Sequence, residues 1–341
     1  MSRFALSVCV VAITVAACGG TQPAITVPGA FPQTPASQAH VERDGSRMSP
    51  EARNGALLYV SSFSFGGGSD TSVYTYPGGR PVGDLGTVDA RGLCSDAAGN
   101  VFIVETNAGE IVEYAHGGTQ PIATLDDQYN SPNGCAVDPT TGNLAVAGGN
   151  FPGYYVSANV AIFPQAMGSP TVYYDDSDLT FSWCTYDDQG NLFANGRNFK
   201  KGESNLVELP VGGSTFSQIT LQNANVHGNG SIQWDGHYLA IAKRYDGEHK
   251  KEPATIYQLQ ISGQSAKVAN TIELQGSHVS DPNGWITQQF WIHNHRIISP
   301  ESTDNRVGLW DYPSGGYPTR SKVRTPYVPY GLTLSVGPGH L

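Results

Sequence analysis

At 341 residues the chain is long enough to bury a large core without disulfide staples, and its formal net charge of −10 excludes nucleic acid as a natural partner, since phosphate neutralisation needs clustered Lys and Arg. Only 14% of the residues are charged, whereas 41 are Gly, 22 Pro and 17 Tyr. That balance excludes a mainly helical protein and points to many short strands joined by tight turns.

The first element is an address. Met1-Ser2-Arg3 is a short basic stretch, and Phe4 to Ala17 is an apolar run too short to span a bilayer as a helix. Such a run ending in small residues reads as an export signal over residues 1–17. Its end, Val15-Ala16-Ala17-Cys18-Gly19, resembles the lipobox of bacterial lipoproteins. The resemblance implies that Cys18 is lipidated and becomes the first residue of an exported cell-envelope protein held to a membrane by its lipid. With Gly rather than Asp after the Cys, it points to the outer membrane where the host has one. Residues 18–54 are rich in Thr, Gln, Pro, Ala and Gly and read as a flexible tether. Residues 55–341 are the folded domain.

Two sequence elements then recur along that domain. The first is an apolar strand that ends in an aromatic residue or Leu and, in most copies, runs into Pro or Gly-Gly. It occurs at Val73–Tyr76, Ile111–Tyr114, Val160–Phe163, Leu206–Leu209, Ile256–Leu259 and Val307–Tyr312. The second is a strand, an Asp, a Gly-Asn turn and another strand. It is clearest in Gly92 to Val104, Gly134 to Val146 and Trp183 to Phe193. It is weaker around Trp234-Asp235-Gly236 and weaker still around His293-Asn294-His295. Gly-Asn between alternating strands supplies a positive φ cheaply and is hairpin chemistry. Four short strands repeating roughly every 45 residues describe a propeller blade.

The ends of the domain hold incomplete blades. Leu57–Val60 is a second strand without its first, and Tyr330–Val336 is a first strand without its second. The two are expected to pair, closing a ring of six blades, each of four antiparallel strands, and leaving no free edge. The fold expected is all-β, a six-bladed β-propeller, and a monomer.

The Gly-x-x-x-Asp-x-x-Gly-Asn-Leu-x-Val pattern resembles the NHL, SMP-30 and strictosidine-synthase-like six-bladed propellers over roughly residues 57–337. In such propellers the ligand sits where the chain enters each innermost strand. That places Arg91, Asn133, Ser182, Asn229, Gln288 and Tyr330 around the channel mouth as candidate ligand-binding residues. SMP-30-like lactonases hold a metal with Glu, Asn and Asp from separate blades. The resemblance therefore makes Glu105, Asn133, Asn150, Asn195, Asp127 and Asp178 candidate ligands for Ca²⁺, the candidate cofactor. The same Asp and Asn residues also suit turns for backbone reasons alone.

No HExxH, GxSxG, CxxC or phosphate-cradling glycine loop is present. His293-Asn294-His295 falls at a hairpin turn. Cys135 and Cys184 share a register on neighbouring inner strands, with Cys94 one position off; all three are expected to be packed free thiols, although export makes a bridge between Cys135 and Cys184 possible. Two functional classes follow: a propeller that binds a small polar ligand or a protein partner at the channel mouth, and a metal-assisted hydrolase, lactonase or lyase. A scaffold for a cell-envelope complex is the third.

Overall fold

A computed structural model of the chain describes residues 45–64, 69–127, 131–149, 158–175, 179–198, 204–222, 230–243, 253–277, 289–319 and 323–337. Residues 1–17, Cys18 and the tether up to residue 44 lie outside the described residues.

The regular structure of the described residues is almost all strand, with three short 3-10 turns. The first sheet contains β1 (Arg47–Met48), β2 (Ala56–Phe63), β3 (Ser69–Tyr76) and β4 (Pro81–Leu85), and is completed by the last strand of the chain, β25 (Val328–Ser335), in the order β1-β4-β3-β2-β25. The second holds β5 (Ala90–Ser95), β6 (Val101–Glu105), β7 (Glu110–Tyr114) and β8 (Pro121–Asp126). The third holds β9 (Pro132–Val137), β10 (Leu144–Gly148), β11 (Asn159–Phe163) and β12 (Thr171–Tyr174). An eight-stranded sheet follows. It runs through β13 (Leu179–Tyr186), β14 (Leu192–Asn198), β15 (Ser204–Leu209) and β16 (Ser217–Gln222), then back through β20 (Ser265–Leu274), β19 (Ala254–Ser262), β18 (Leu239–Ala242) and β17 (Ile232–Trp234). The last sheet holds β21 (Trp291–His293), β22 (Arg296–Glu301), β23 (Arg306–Asp311) and β24 (Val323–Arg324). Among the described residues the strands pair antiparallel except β16 with β20, where Thr220, Leu221 and Gln222 run parallel to Ser265, Ala266 and Lys267; an isolated parallel bridge also joins Leu274 to Gly316.

The repeated Asp is explained by the turn it builds. Asp96 accepts from the Asn100 backbone N–H at 2.8 Å and from its Nδ2 at 3.0 Å, while Gly99 sits at φ +88°. Asp187 does the same with Asn191 at 2.9 and 2.8 Å. Asp138 instead takes Thr140 and Thr141, and Asp235 takes the His237 and Tyr238 N–H groups. Asn294 and His295 form a two-residue turn with φ of 44° and 60°, and His293 pairs with Arg296 across it. The hairpin reading of this segment stands.

Burial follows the two-residue period of a strand, applied to two interfaces at once. In β6 every residue is buried. Val101 and Ile103 pack with Leu57 and Tyr59 of the first sheet, whereas Phe102 and Val104 pack with Cys135, Leu144 and Val146 of the third. A strand sandwiched between two sheets therefore reads as a continuous apolar run. Each such side chain contributes about 1.5–3 kcal/mol by burial. The first strands stand beside one another in turn, β25 by β5, β5 by β9, β9 by β13 and β13 by β17. The arrangement is propeller-like, and the pairing expected between the chain ends is present, from Leu57↔Ser335 to Val60↔Leu332.

Two expectations need correction. The folded body begins before residue 55: β1 pairs with β4, Arg47 opposite Asp84, and Ala52 in the 3-10 turn Pro50–Arg53 is fully buried. Polar composition concealed this edge, because an outer strand needs backbone pairing and little apolar surface. The cysteines are not all free either: Cys94, not Cys184, is the partner of Cys135, in a disulfide with Cα atoms 5.7 Å apart, and Cys184 is a buried thiol. The expected separation of neighbouring inner strands fails because glycines let β5 and β9 touch. A Cβ on Gly92 would lie 2.5 Å from the Asn133 carbonyl oxygen.

Candidate functional site at the entry to the inner strands

The same irregularity recurs in four places. The innermost strand bulges against its partner between Pro329 and Leu332, between Ala90 and Leu93, between Pro132 and Gly134, and between Phe181 and Trp183. The residues thrown out of register are Tyr330 with Gly331, Arg91 with Gly92, Asn133, and Ser182. A β-bulge re-aims the side chains it carries, and bulges gather next to binding and catalytic sites. Four of the six candidate ligand-binding residues thus occupy one structural position.

These residues touch one another. The Arg91 guanidinium lies 5.5 Å from the Phe63 ring centre and 5.0 Å from that of Tyr330. Tyr330 stacks on Trp183 at 5.9 Å, and its hydroxyl donates to Asn133 Oδ1 at 2.9 Å. Asn133 Nδ2 donates to the Ser182 carbonyl at 2.8 Å. Ser182 therefore joins through its backbone.

Asp89 faces Arg91 at 3.3 Å. Its backbone is left-handed, φ 50°, and is held by its N–H to Ser69 Oγ at 2.7 Å and by the Thr106 N–H to its carbonyl at 3.3 Å. A non-glycine residue in this conformation costs of order 1 kcal/mol or more, so the surroundings impose it. Asp89 Oδ2 and Arg91 Nε are buried without a hydrogen-bond partner.

Beneath this layer Gln289 ties three segments together. Its Oε1 accepts from the Leu93 and Leu332 N–H groups at 3.0 and 3.2 Å, and its Nε2 donates to the Leu93 carbonyl at 2.6 Å. Sequence reading selected its neighbour Gln288, which lies outside the described residues, as does Asn229. The short β21 gave no register to choose between two consecutive glutamines. Phe63 was also missed; its signal was its place at the end of β2, matching Glu105 at the end of β6.

The metal candidates are spread differently. Glu105, at the end of β6 opposite Ala90, and Asp127, just after β8, are both fully buried in the second sheet. Asn195 is fully buried on β14 and donates from Nδ2 to the Gly230 carbonyl at 2.7 Å. Asn133 has committed its amide to Tyr330 and Ser182. Asn150 and Asp178 lie outside the described residues. Among the described residues no three His, Cys, Asp or Glu side chains converge to hold a metal ion.

Comparison with solved structures supports the architecture. The chain superposes on one from a nidogen/laminin complex with TM-score 0.57 at 14% identity, covering 83% of this chain and 99% of the other. The fold is β-propeller-like. A protein of unknown function from Bacteroides caccae gives TM-score 0.56 at 10% identity over 83% and 99% of the two chains. Apo AztD from Citrobacter koseri gives 0.50 at 10% identity over 84% and 99%. No family model and no curated protein matches the sequence. These likenesses carry the fold and no activity.

Proposed function

We propose that the protein is an exported, lipid-anchored propeller that binds a small polar ligand at the layer formed by Arg91, Asp89, Asn133, Phe63 and Tyr330. We count its blades as six, of the NHL and SMP-30 kind. The eight-stranded sheet is then two four-stranded blades joined at their outer edges by the short parallel pairing of β16 with β20. The observation that carries the binding reading is the bulge repeated at one position in four sheets, which gathers side chains of different chemistry from separated stretches of sequence. The half-satisfied Arg91–Asp89 pair supports it. Such a pair is a poor source of stability and a good source of oriented donors and acceptors.

The Cys94–Cys135 disulfide supports export, because disulfides persist in oxidising compartments. Lipidation at Cys18 supplies the membrane attachment in this reading; Cys18→Ala is expected to release the protein from the membrane fraction.

The binding reading is tested by a thermal-shift screen of sugars, amino acids and dicarboxylates against the mature protein and its Arg91→Ala variant. The expected hit raises the melting temperature of the parent by several degrees and loses that effect in the variant. Hits that stabilise both equally, or none at all, refute this site.

A further inference from the structure

A cleft lies away from the inner-strand bulges, on the outer part of the first sheet. The face of that sheet bearing Asp70, Ser72 and Tyr74 of β3 looks towards the last sheet, where Tyr74 packs with Val307 and Val323 and its hydroxyl donates to the Arg324 carbonyl at 2.9 Å. The outer strand of the last sheet, β24, has two residues, and Pro326, which follows it, forms part of the facing wall. The result is a cleft of about 580 Å³, a size that suits a small molecule.

The cleft has one charge too many of one sign. Asp84 stands opposite Ser72 on β4 and is bridged at 2.6 Å by Arg47, whose side chain is otherwise 83% exposed on the short β1. Among the described residues Asp70 has no such partner. Burial, and then the nearby Asp84 carboxylate, push its carboxyl above the ordinary range, and Arg47 is the smallest of the influences acting on it. The walls around it combine the apolar or aromatic Met48, Tyr74, Val82 and Pro326 with Ser49, Ser72 and Arg47.

We propose that this inter-sheet cleft binds a small aliphatic amine, its ammonium group on Asp70 and its alkyl chain along Met48, Tyr74 and Pro326. The geometry asks for both parts. A lone carboxylate in a partly desolvated cleft favours a cation, and the cation must bring methylene groups to use the walls. A protein with net charge −10 also draws small cations to its surface.

The test is calorimetric titration of the mature protein with 1,5-diaminopentane in 0.15 M NaCl, with pentan-1-ol as the neutral control. Saturable one-to-one binding is expected for the diamine and none for the alcohol. Asp70→Asn should weaken binding at least tenfold and Asp84→Asn about threefold, with unchanged melting curves as proof of folding. Glu208→Gln, on β15 of a different sheet, should leave it unaltered. Absence of saturation, an unchanged affinity in Asp70→Asn, or an equal loss in Glu208→Gln would each overturn the proposal, the last by reducing it to diffuse attraction. Displacement of the diamine by an equimolar amount of Ca²⁺ would overturn it too, by making the cleft a metal site.

Discussion

The inner strands meet in two different ways around the molecule. From β25 through β5 and β9 to β13 they meet backbone to backbone. Gly92 lies against the Asn133 carbonyl, and a Cβ on Gly134 would fall 2.5 Å from the Trp183 ring and 2.8 Å from the Ser182 carbonyl. The Cys94–Cys135 bridge lies in this half. From β17 to β21 the meeting is through polar side chains. Gln233 Nε2 donates to the Ile292 carbonyl at 3.1 Å while its Oε1 accepts from the Ile292 N–H at 2.6 Å, and Ser231 Oγ accepts from the Phe290 N–H at 2.9 Å. The first half is held chiefly by close backbone contact at glycines, with Asn133 and Gln289 as added side-chain links, and the second by polar side chains. The glycine half should therefore be rigid and intolerant of substitution, and the polar half adjustable.

The comparison is tested most severely at the junction between the chain ends. Truncation after Pro329 removes the strand that pairs with β2 and that carries Leu332 and Leu334 into the core. The expected outcome is loss of the cooperative unfolding transition by circular dichroism, together with rapid proteolysis. A protein that merely lost a few degrees of melting temperature would show that the closure is dispensable.

Next come the glycines. Gly134→Val should cost about 3 kcal/mol or more, because the new atoms meet backbone and a packed indole. Gly142→Ala, at an open hairpin tip with φ +75° and nothing within 4 Å, should cost only about 1 kcal/mol. Denaturant melts of the two variants decide it; similar losses would mean that the inner strands have room to part. Reduction of the disulfide, or Cys94→Ser with Cys135→Ser, should remove about 2–4 kcal/mol in the same assay.

The polar half should yield less. Gln233→Leu leaves the Ile292 N–H and carbonyl without their partner, at about 1–3 kcal/mol. Hydrogen exchange localises the effect: faster exchange at Ile292 with little change at Leu93 is expected. An equal change at both would show that the halves are coupled rather than distinct.

The same division decided what could be read from the sequence. The strand–Asp–Gly-Asn signature is strong at Gly92, Gly134 and Trp183 because there the strand needs glycine or a single large ring where neighbouring backbones touch. Those residues also place Arg91, Asn133, Ser182 and Tyr330, which is why four candidates for the site were visible. The signature fades at Ile232 and Trp291, where Gln233 and Ser231 make the junction. Gln, Ser and Thr in a strand look the same whether they face water or a neighbouring sheet. The disulfide was hidden by a distance argument that ignored how close glycine lets two strands come. β1 was hidden because a two-residue edge strand carries no periodicity.

The smallest effect lies at the hairpin end of the polar half, and its signature is pH. Asp235 accepts from the Tyr312 hydroxyl, from Gln258 Nε2 at 3.0 Å, and from the Tyr238 and His237 N–H groups at 2.6 and 2.8 Å. Burial alone would push its carboxyl up, but the bonds from Tyr312, Tyr238, Gln258 and His237 together outweigh that and hold it below the usual carboxylate range. A carboxyl lowered on folding contributes stability above its unfolded value of about 3.9, and loses it as the pH falls through the folded value. Tyr312→Phe removes one of the four donors and lets the carboxyl rise. The cost at pH 7 should be about 1 kcal/mol or less. The gap between the parent and the variant should narrow below about pH 4, where the carboxylate that the hydroxyl served is being protonated in both. Asp138, whose carboxyl is also lowered, titrates alike in the two proteins and cancels from the difference. A gap that stays constant from pH 7 to pH 3 would assign the Tyr312 hydroxyl a packing role. The polar links of this half would then act through shape, as the glycines do in the other.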